Sequence, residues 1–433
     1  MLLPNSSLHA SLSDPVLDVM NFLNEVAMRF PDAISFAPGR PHESFYETAQ
    51  ISTYLDAYVR YLGQERGLSE AQIRTNLFQY GRTNGQIHPL VARMLEKDEG
   101  IKASPESIVV TVGCQEGMFL ALRALFATSA DVLLVGMPCY IGITGAAKLL
   151  GIEIVPVAED PEGLDFDDLQ SKLMQLHDAG KRARALYLVA DFANPSGVSL
   201  SVPARQRLLD ISAREKMLIL EDNPYGFFVR DGSRKPTLKS MDEKGQVIYL
   251  GSFSKSAFPG LRIGYAVADQ VVRDAAGKER LLAEELSKIK SMISVNTSSL
   301  AQAIVGGLLV MNDCSLQGVN AERATFYKQS METTLKALER AFPRSEAWAR
   351  DVRWNVPDGG FFLVVSLPFE ADDALLELSA RTYKLLWTPM RYFYLGSGGE
   401  RQLRLSCSYL TPDQIEEGVS RLARLVKDRS LSR

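Results

Sequence analysis

Residues 246–266 read QVIYLGSFSKSAFPGLRIGYA, and they contain the most informative feature of the chain. The runs 246–251 and 262–267 are short and apolar, which predicts two buried strands. The polar turn between them, SFSK, ends in Lys255. Burial disfavours the charged form of a lysine, so its neutral amine is expected to have a use, most commonly a Schiff base with a carbonyl. The alternative, from this stretch alone, is a lysine that extends from a strand end into water.

The composition is that of a globular protein and argues against several function classes. The chain has 433 residues, 46% of them hydrophobic and 23% charged, which fits a large α/β domain plus a smaller one. A net charge of −4 gives no support for a nucleic-acid partner. No apolar run suits a membrane span, and the N-terminus does not read as a signal peptide. Four scattered cysteines argue against a structural zinc site, so we expect no metal and a cytoplasmic location.

Strand-like and helix-like segments alternate between residues 107 and 267, which predicts a parallel sheet with helices on both faces. In such sheets, ligands bind outside the carboxyl ends of the strands. Polar or aromatic residues follow the predicted strands at this edge, namely Cys114, Tyr140, Asn194, Asp222, Tyr225, Ser252 and Lys255. One of them alone would mean little, but their convergence predicts a binding site.

Some of these residues are suited to a phosphate. Gly113, Cys114 and Gln115 form a glycine turn between a strand and a helix, and a helix N-terminus attracts anions. A plain strand-to-helix turn is the alternative. Ser252 and Arg262 supply further donors.

The remaining residues are suited to an aromatic aldehyde. Lys255 supplies an amine, Tyr140 a ring for stacking, and Asp222 a carboxylate for a basic ring nitrogen. Asn194 and Tyr225 offer donors to a phenolic oxygen. Together with the phosphate donors, these groups predict pyridoxal 5'-phosphate as the cofactor.

Six motifs carry a resemblance that extends over nearly the whole chain. They are NPSG at 194–197, DNPY at 222–225, SFSK at 252–255, PGLR at 259–262, PDGGFF at 357–362 and RLS at 404–406. In their order and spacing the chain resembles a fold-type I pyridoxal-phosphate enzyme of the class I and II aminotransferase family. The loop at residues 38–40 is similar to that of the aminoadipate and kynurenine aminotransferases.

The resemblance implies a role for each matching residue. Lys255 would form the Schiff base and move the substrate proton, and Asp222 would keep the ring nitrogen protonated. Tyr225 and Asn194 would bind the phenolic oxygen, and Tyr140 would stack on the ring. The phosphate would be bound by Gly113, Cys114, Gln115, Ser252 and Arg262, and by Tyr80 from a partner subunit. Cys114 departs from the hydroxyl residue that is more usual at its position.

Substrate recognition is also implied by the resemblance. Arg404 would bind the substrate α-carboxylate through both of its terminal nitrogens, and Asn194 would assist. Gly39 and Arg40 would face the substrate, although Arg40-Pro41-His42 is not the commonest continuation of this loop. An exposed, solvated Arg40 is the alternative from the residues alone. Candidates for the side-chain pocket are Phe253, Phe361, Phe362 and Tyr394, although core packing is the more ordinary role for each.

The implied architecture is a large domain with a mostly parallel seven-stranded sheet flanked by helices, plus a smaller α+β domain. Residues 1–49 would form an N-terminal arm and part of the small domain, 50–310 the large domain, and 311–433 the rest of the small domain. Segment 280–310 would be a long helix between the domains. A homodimer with sites at its interface is implied, with Tyr80 and Asn296 crossing between subunits.

The implied reaction is transfer of an amino group from an L-amino acid to a 2-oxo acid, with 2-oxoglutarate as the expected acceptor. The donor would be aromatic, branched or aminoadipate-like, and arylglycine-type or arginine-derived donors stay open. A lyase, cyclase or oxidase on the same fold is the alternative, because these enzymes share the residues that hold the cofactor. Two other classes are disfavoured: an acyl enzyme with a Ser-x-x-Lys motif, since no Lys-Thr-Gly follows, and a transcription regulator, since few basic residues precede residue 34.

Overall fold

The computed structural model describes residues 1–431, and the strands within this range are numbered in chain order. They are β1 (Ile34–Ser35), β2 (Ile108–Val112), β3 (Asp131–Met137), β4 (Glu153–Asp160), β5 (Gly163–Leu164), β6 (Arg182–Leu188), β7 (Leu218–Asp222), β8 (Val247–Ser252), β9 (Ile263–Val267), β10 (Val271–Arg273), β11 (Glu279–Leu281), β12 (Arg353–Trp354), β13 (Phe362–Ser366), β14 (Leu385–Leu386), β15 (Thr388–Pro389) and β16 (Gln402–Ser406).

The α-helices of the same range are also numbered in chain order. They are α1 (Pro15–Arg29), α2 (Ala49–Arg60), α3 (Glu70–Phe78), α4 (His88–Glu99), α5 (Gly113–Leu125), α6 (Ile141–Leu149), α7 (Phe166–Asp178), α8 (Val202–Glu215), α9 (Leu238–Met241), α10 (Leu282–Ile293), α11 (Ser299–Met311), α12 (Gln317–Ala341), α13 (Asp373–Leu378) and α14 (Pro412–Leu431). No helix in residues 1–431 combines the length and apolar composition that a membrane span requires.

The largest sheet has the strand order β2-β9-β8-β7-β6-β3-β4-β5. Strands β8, β7, β6, β3 and β4 are parallel neighbours, and β9 runs antiparallel between β2 and β8. The prediction of a mostly parallel sheet flanked by helices is therefore confirmed. The sheet has one strand more than the seven expected, since two-residue β5 folds back antiparallel onto the end of β4.

Local sequence explains where the helix at the edge of this sheet begins. The apolar pattern predicts a helix from Met118, but α5 already begins at Gly113, directly after β2. Gly113 has a φ of 71°, in the left-handed region that glycine adopts without a steric penalty. The first-turn N–H groups of α5 therefore lie at the carboxyl edge of the sheet.

Segment 280–310 is not one long helix, so that prediction is wrong. Helix α10 ends at Ile293 and α11 begins at Ser299, with Val295 between them at a φ of 63°. A β-branched residue with positive φ does not fit a continuous helix. The long helix is instead the 25-residue α12.

Helix α12 connects two hydrophobic cores. Its Tyr327 packs in the core above the large sheet, whereas Met331 and Leu338 pack in a second core. The second core includes Phe36 from the N-terminal segment and the antiparallel sheet β12-β13-β16-β15. The division at residues 49 and 310 stays a prediction, and this packing supports it.

We predict that Gly307→Ala destabilises the protein, because the added methyl group would overlap the backbone of Tyr54 where α11 packs against α2. Overpacking of this kind costs about 1–3 kcal/mol of the free energy of unfolding. Gly318→Ala is the matched control, since Gly318 is also helical but has open space around it. The control should stay within about 1 kcal/mol of wild type. Urea denaturation measures both variants, and equal midpoints would contradict close packing of α11 on α2.

Candidate active site

One cavity of about 420 Å³ lies at the carboxyl edge of the large sheet. Its volume falls within the range of small-molecule sites. Thirteen site candidates from the sequence line it: Gly39, Arg40, Cys114, Gln115, Tyr140, Asn194, Asp222, Tyr225, Ser252, Lys255, Arg262, Phe362 and Arg404. Most of them lie at the ends of strands of the large sheet or in the turns and helix starts next to them, whereas Arg404 comes from β16 of the second sheet.

Lys255 lies in the turn that follows β8 and is partly buried. Its Nζ donates a hydrogen bond of 2.6 Å to the carbonyl oxygen of Gly39. Burial, together with the nearby charges of Arg262 and Arg404, lowers the pKa of Lys255 to about 8, against the opposing effect of Asp222. The amine is therefore neutral in a larger fraction of molecules near neutral pH than an ordinary lysine.

Asp222 is the last residue of β7, and it is buried. Its Oδ2 accepts a hydrogen bond of 2.8 Å from the Tyr187 hydroxyl, and its Oδ1 accepts one of 3.4 Å from Cys114 Sγ. The pKa of Asp222 is raised to about 6, because the effect of burial outweighs the lowering by these two hydrogen bonds and by the charge of Lys255. The carboxylate is thus ionised near neutral pH in spite of its burial.

The Gly113 turn and Arg262 lie against each other. A Cβ atom at position 113 would overlap Nη2 of Arg262, so only glycine allows this approach. Arg262 Nη1 also donates to Ser254 Oγ at 3.3 Å, and the Ser254 N–H donates to Ser252 Oγ at 3.1 Å. Hydroxyls, a guanidinium and the N-terminus of α5 therefore surround one end of the cavity, which suits a phosphate.

Tyr140 precedes α6 and borders the same cavity. Its hydroxyl donates to Oε1 of Gln115 at 3.4 Å, and the Gln115 side-chain amide donates to the carbonyl oxygen of Gly142 at 2.7 Å. Burial raises the pKa of Tyr140, so its ring stays neutral. A ring held in this way can stack on a planar ligand.

Arg404 is buried, and two of its three nitrogens are engaged. Nη1 donates to Asn194 Oδ1 at 2.6 Å, and Nη2 donates to the carbonyl oxygen of Ala37 at 2.6 Å. Nε has no hydrogen-bond partner among the described residues. Burial lowers the pKa of Arg404 to about 10, so it stays charged at neutral pH. A buried guanidinium with an unused donor is suited to a carboxylate ligand.

Tyr225 lies beside Asn194 and is buried. Its ring centroid is 5.2 Å from that of Phe361 and 5.6 Å from that of Phe362. Burial raises the pKa of Tyr225, which keeps its hydroxyl a donor. Since Asn194 Oδ1 accepts from Arg404, its Nδ2 is the atom left to donate to a ligand.

Arg40 is exposed at the mouth of the cavity, on the loop that also carries Gly39. Its guanidinium lies 4.0 Å from the ring centroid of Tyr409, and its carbonyl oxygen accepts a hydrogen bond of 2.8 Å from Ser408. Within residues 1–431 no carboxylate pairs with Arg40 in the ion pairs formed. The loop is thus held in place while its cation is free for a ligand.

Some predicted residues lie outside this cavity. Tyr80 is 85% exposed and borders a surface groove together with Asn296. Among the side-chain pocket candidates only Phe362 lines the cavity, whereas Phe253 and Phe361 are buried in the cores. Tyr394 is half-buried outside it.

Sequence reasoning missed two residues. Tyr187 contacts Asp222, and Ser254 accepts from Arg262. A tyrosine inside the apolar strand β6 was a signal, since a buried hydroxyl needs a partner. Ser254 gave no separate signal, because it lies between two residues that were already assigned.

These groups fit pyridoxal phosphate as a set. The cavity offers an amine of lowered pKa, one buried carboxylate, a stacking ring, and donors for a phosphate at the Arg262 end. Arg404 has an unused donor for a second anion.

Comparisons with known proteins agree with this fit. The family model of aminotransferase class I and II matches residues 60–422. The chain is 48% identical to an (S)-3,5-dihydroxyphenylglycine transaminase of Amycolatopsis orientalis, over 98% of this chain and 94% of that protein.

Two solved structures are similar over the whole chain. A multiple substrate aminotransferase from Thermococcus profundus has a TM-score of 0.82 and 29% identity, covering 99% of both chains. An α-aminoadipate aminotransferase from Thermus thermophilus, complexed with N-(5'-phosphopyridoxyl)-L-leucine, has a TM-score of 0.79 and 28% identity, covering 100% of both chains. The resemblance stated from the motifs is confirmed, and the chain belongs to the class I and II aminotransferase family as a pyridoxal-phosphate-dependent transaminase.

Proposed function

We propose that this transaminase acts on an aromatic L-amino acid of the arylglycine type and uses 2-oxoglutarate as its amino acceptor. One observation carries the proposal: an amine, a buried carboxylate and two guanidiniums, Arg404 and Arg40, line a single cavity. The 48% identity to a dihydroxyphenylglycine transaminase supports an aromatic substrate over branched or aminoadipate-like ones.

When bound, pyridoxal phosphate supplies an electron sink for negative charge at the substrate Cα. Lys255 would attach it and would move the proton at Cα. Its lowered pKa supports both tasks, since attachment and proton removal need the neutral amine. Asp222 would hold the proton on the ring nitrogen.

The rest of the cavity binds and orients. Arg262, Ser252 and the turn at Gly113–Gln115 would hold the phosphate, and Tyr140 would stack on the ring. Tyr225 and Asn194 would donate to the phenolic oxygen. Holding the ring at its phosphate, face, nitrogen and oxygen fixes its orientation, so that the substrate Cα is presented to Lys255.

Arg404 would bind the α-carboxylate that all substrates share. Its Nε is unused, and its guanidinium lies 4.3 Å from the ring centroid of Phe362, which restricts its position. Gly39 borders the cavity on the same side, and its carbonyl oxygen is bonded to Lys255.

Charge supports a dicarboxylic acceptor. Four cations line the cavity, namely Lys255, Arg262, Arg404 and Arg40, whereas Asp222 is the carboxylate among its described lining residues. Lys255, Arg262 and Arg404 are assigned to the cofactor and the α-carboxylate. Arg40 is left for a distal carboxylate such as that of 2-oxoglutarate.

We also propose a homodimer in a reducing, cytoplasmic setting. Large apolar side chains are exposed around Tyr80 and Asn296, including Phe78 at 70% and Met292 at 84%. An exposed apolar surface of this kind suits a second copy of the chain. Cys114, Cys139, Cys314 and Cys407 are all free thiols, which suits a reducing compartment.

The substrate proposal predicts that arylglycines react faster than other amino acids. Single amino acids are added to the cofactor-loaded protein without any 2-oxo acid, and loss of the visible absorption of the cofactor is timed. (S)-3,5-Dihydroxyphenylglycine should exceed leucine and 2-aminoadipate by about tenfold or more in kcat/KM, and 2-oxoglutarate should restore the absorption. Faster reaction of leucine would contradict the substrate class. Absorption that no 2-oxo acid restores would favour a lyase, cyclase or oxidase.

Arg40→Gln is predicted to impair the reaction with the 2-oxo acid acceptor but not the reaction with the amino acid donor. The KM for 2-oxoglutarate should rise by about 10- to 100-fold, because an ion pair with the distal carboxylate is lost. The KM for the arylglycine should stay within about twofold, since that substrate has one carboxylate. Binding of glutarate, an unreactive dicarboxylate, should weaken in parallel. Equal effects on both substrates would remove Arg40 from this role.

Subunit mixing tests the dimer and the position of Tyr80. Tyr80→Phe should bind the cofactor more weakly, and Lys255→Ala should be inactive. Mixing the two variants through a brief unfolding step should restore about a quarter of the wild-type sites, because one site of each mixed dimer has both native residues. No gain on mixing would show that Tyr80 does not serve the partner's site.

A further inference from the structure

The Asp222 carboxylate is held by the protein before any ligand is present. Its two oxygens have different partners, a phenol at 2.8 Å from Oδ2 and a thiol at 3.4 Å from Oδ1. The phenolic bond has the length of a good O–H···O hydrogen bond, whereas a thiol is a weak donor. The stronger restraint on Asp222 therefore comes from Tyr187.

The sheet explains why Tyr187 reaches Asp222. Tyr187 on β6 is paired in register with Leu220 on β7, and Asp222 lies two residues further along β7. Residues two apart in a strand face the same side, so Tyr187 and Asp222 are diagonal neighbours on one face of the sheet. Tyr187 is 1% exposed, and its backbone is also paired with Val135 of β3, so the residue lies in the middle of the sheet.

Tyr187 can act only as a donor to the ionised carboxylate. Burial raises its pKa well above the ordinary value, so its hydroxyl keeps the proton. Asp222 also faces Lys255, Cys114, Cys139, Tyr140 and Tyr225. Of these groups, only Lys255 carries a positive charge that favours the ionised form.

We infer that Tyr187 is a positioning residue that holds Asp222 ionised, with Oδ1 turned toward the cofactor ring nitrogen. The Tyr187 hydroxyl occupies Oδ2, whereas Oδ1 has only a weak thiol donor. Oδ1 is therefore the better acceptor for the ring N–H. A fixed and ionised carboxylate stabilises the protonated ring, on which the electron sink depends. The inference rests on the role proposed above for Asp222.

The test measures the ring nitrogen directly. The purified apoenzyme is loaded with pyridoxal phosphate labelled with ¹⁵N in the ring, and the ¹⁵N chemical shift is followed with pH. In Tyr187→Phe, the pH at which the nitrogen loses its proton should fall by about 1–2 units, since a hydrogen bond to a charged group is lost. The cofactor dissociation constant should rise by about 10- to 100-fold. For the amino substrate, kcat should fall with KM little changed, because Arg404 is intact.

Tyr249→Phe is the matched control. Tyr249 is equally buried on β8, and its hydroxyl accepts from Asn223 Nδ2 at 3.1 Å without contact to Asp222. This control should keep the wild-type ¹⁵N midpoint and a dissociation constant within about twofold. If both variants bound the cofactor equally weakly and shifted the ¹⁵N midpoint equally, Tyr187 would have only a packing role and the inference would be overturned. A wild-type ¹⁵N midpoint in Tyr187→Phe would also overturn it.

Two more variants keep the outcomes separate. Cys114→Ala should move the ¹⁵N midpoint by less than about half a unit, because the thiol is a weak donor. A larger shift of the ¹⁵N midpoint would show that Cys114, and not Tyr187, holds Asp222. This measurement can be made even if Tyr187→Phe does not fold. Asp222→Asn should leave the ring nitrogen unprotonated at neutral pH. A protonated nitrogen in that variant would contradict the proposed role of Asp222 itself, whereas failure of Tyr187→Phe alone would leave that role intact.

Discussion

An excess of positive charge in one cavity is the constraint on which this site depends. Lys255, Arg262 and Arg404 share one cavity with a single carboxylate, Asp222, among its described lining residues. Burial of Lys255, together with the charges of the two guanidiniums, lowers its pKa and so favours its neutral, reactive amine. The protein offsets the repulsion by giving each cation oxygen partners: Gly39 for Lys255, Ser254 for Arg262, and Asn194 with Ala37 for Arg404. An arrangement with excess positive charge is complete only when anionic groups bind.

The fold brings these cations together from separated parts of the chain. The antiparallel pair β8 and β9 places Lys255 and Arg262 at the two sides of one turn, and α5 begins beside them. Arg404 arrives from β16 of the second sheet, and it holds the loop of residues 37–40 through the carbonyl of Ala37. Because both sheets and this loop contribute to one cavity, the site can form only when the two cores are packed against each other through α12.

Much of this arrangement could be predicted because it follows local rules. Three features could be recognised from the sequence pattern alone. They are the position of Lys255 between two apolar runs, the position of Gly113 between a strand and a helix, and the polar residues that follow parallel strands. The break between α10 and α11 could not be predicted, since residues 294–298 contain neither proline nor glycine, and a β-branched residue such as Val295 rarely adopts a positive φ. Tyr187 was missed for a related reason: its pairing with Asp222 depends on strand register, which sequence periodicity does not determine. Two-residue β5 is shorter than any pattern can indicate.

The most direct measurement is the position of the cofactor on the chain. The loaded protein is reduced with borohydride, digested with trypsin and analysed by mass spectrometry. A modified Lys255 blocks cleavage after it, so we predict that the phosphopyridoxyl group is found on one peptide, residues 245–262, with Lys255 as the modified residue. Cofactor attached to any other lysine, or an unmodified and cleaved Lys255, would contradict the claim that this buried amine is the centre of the site.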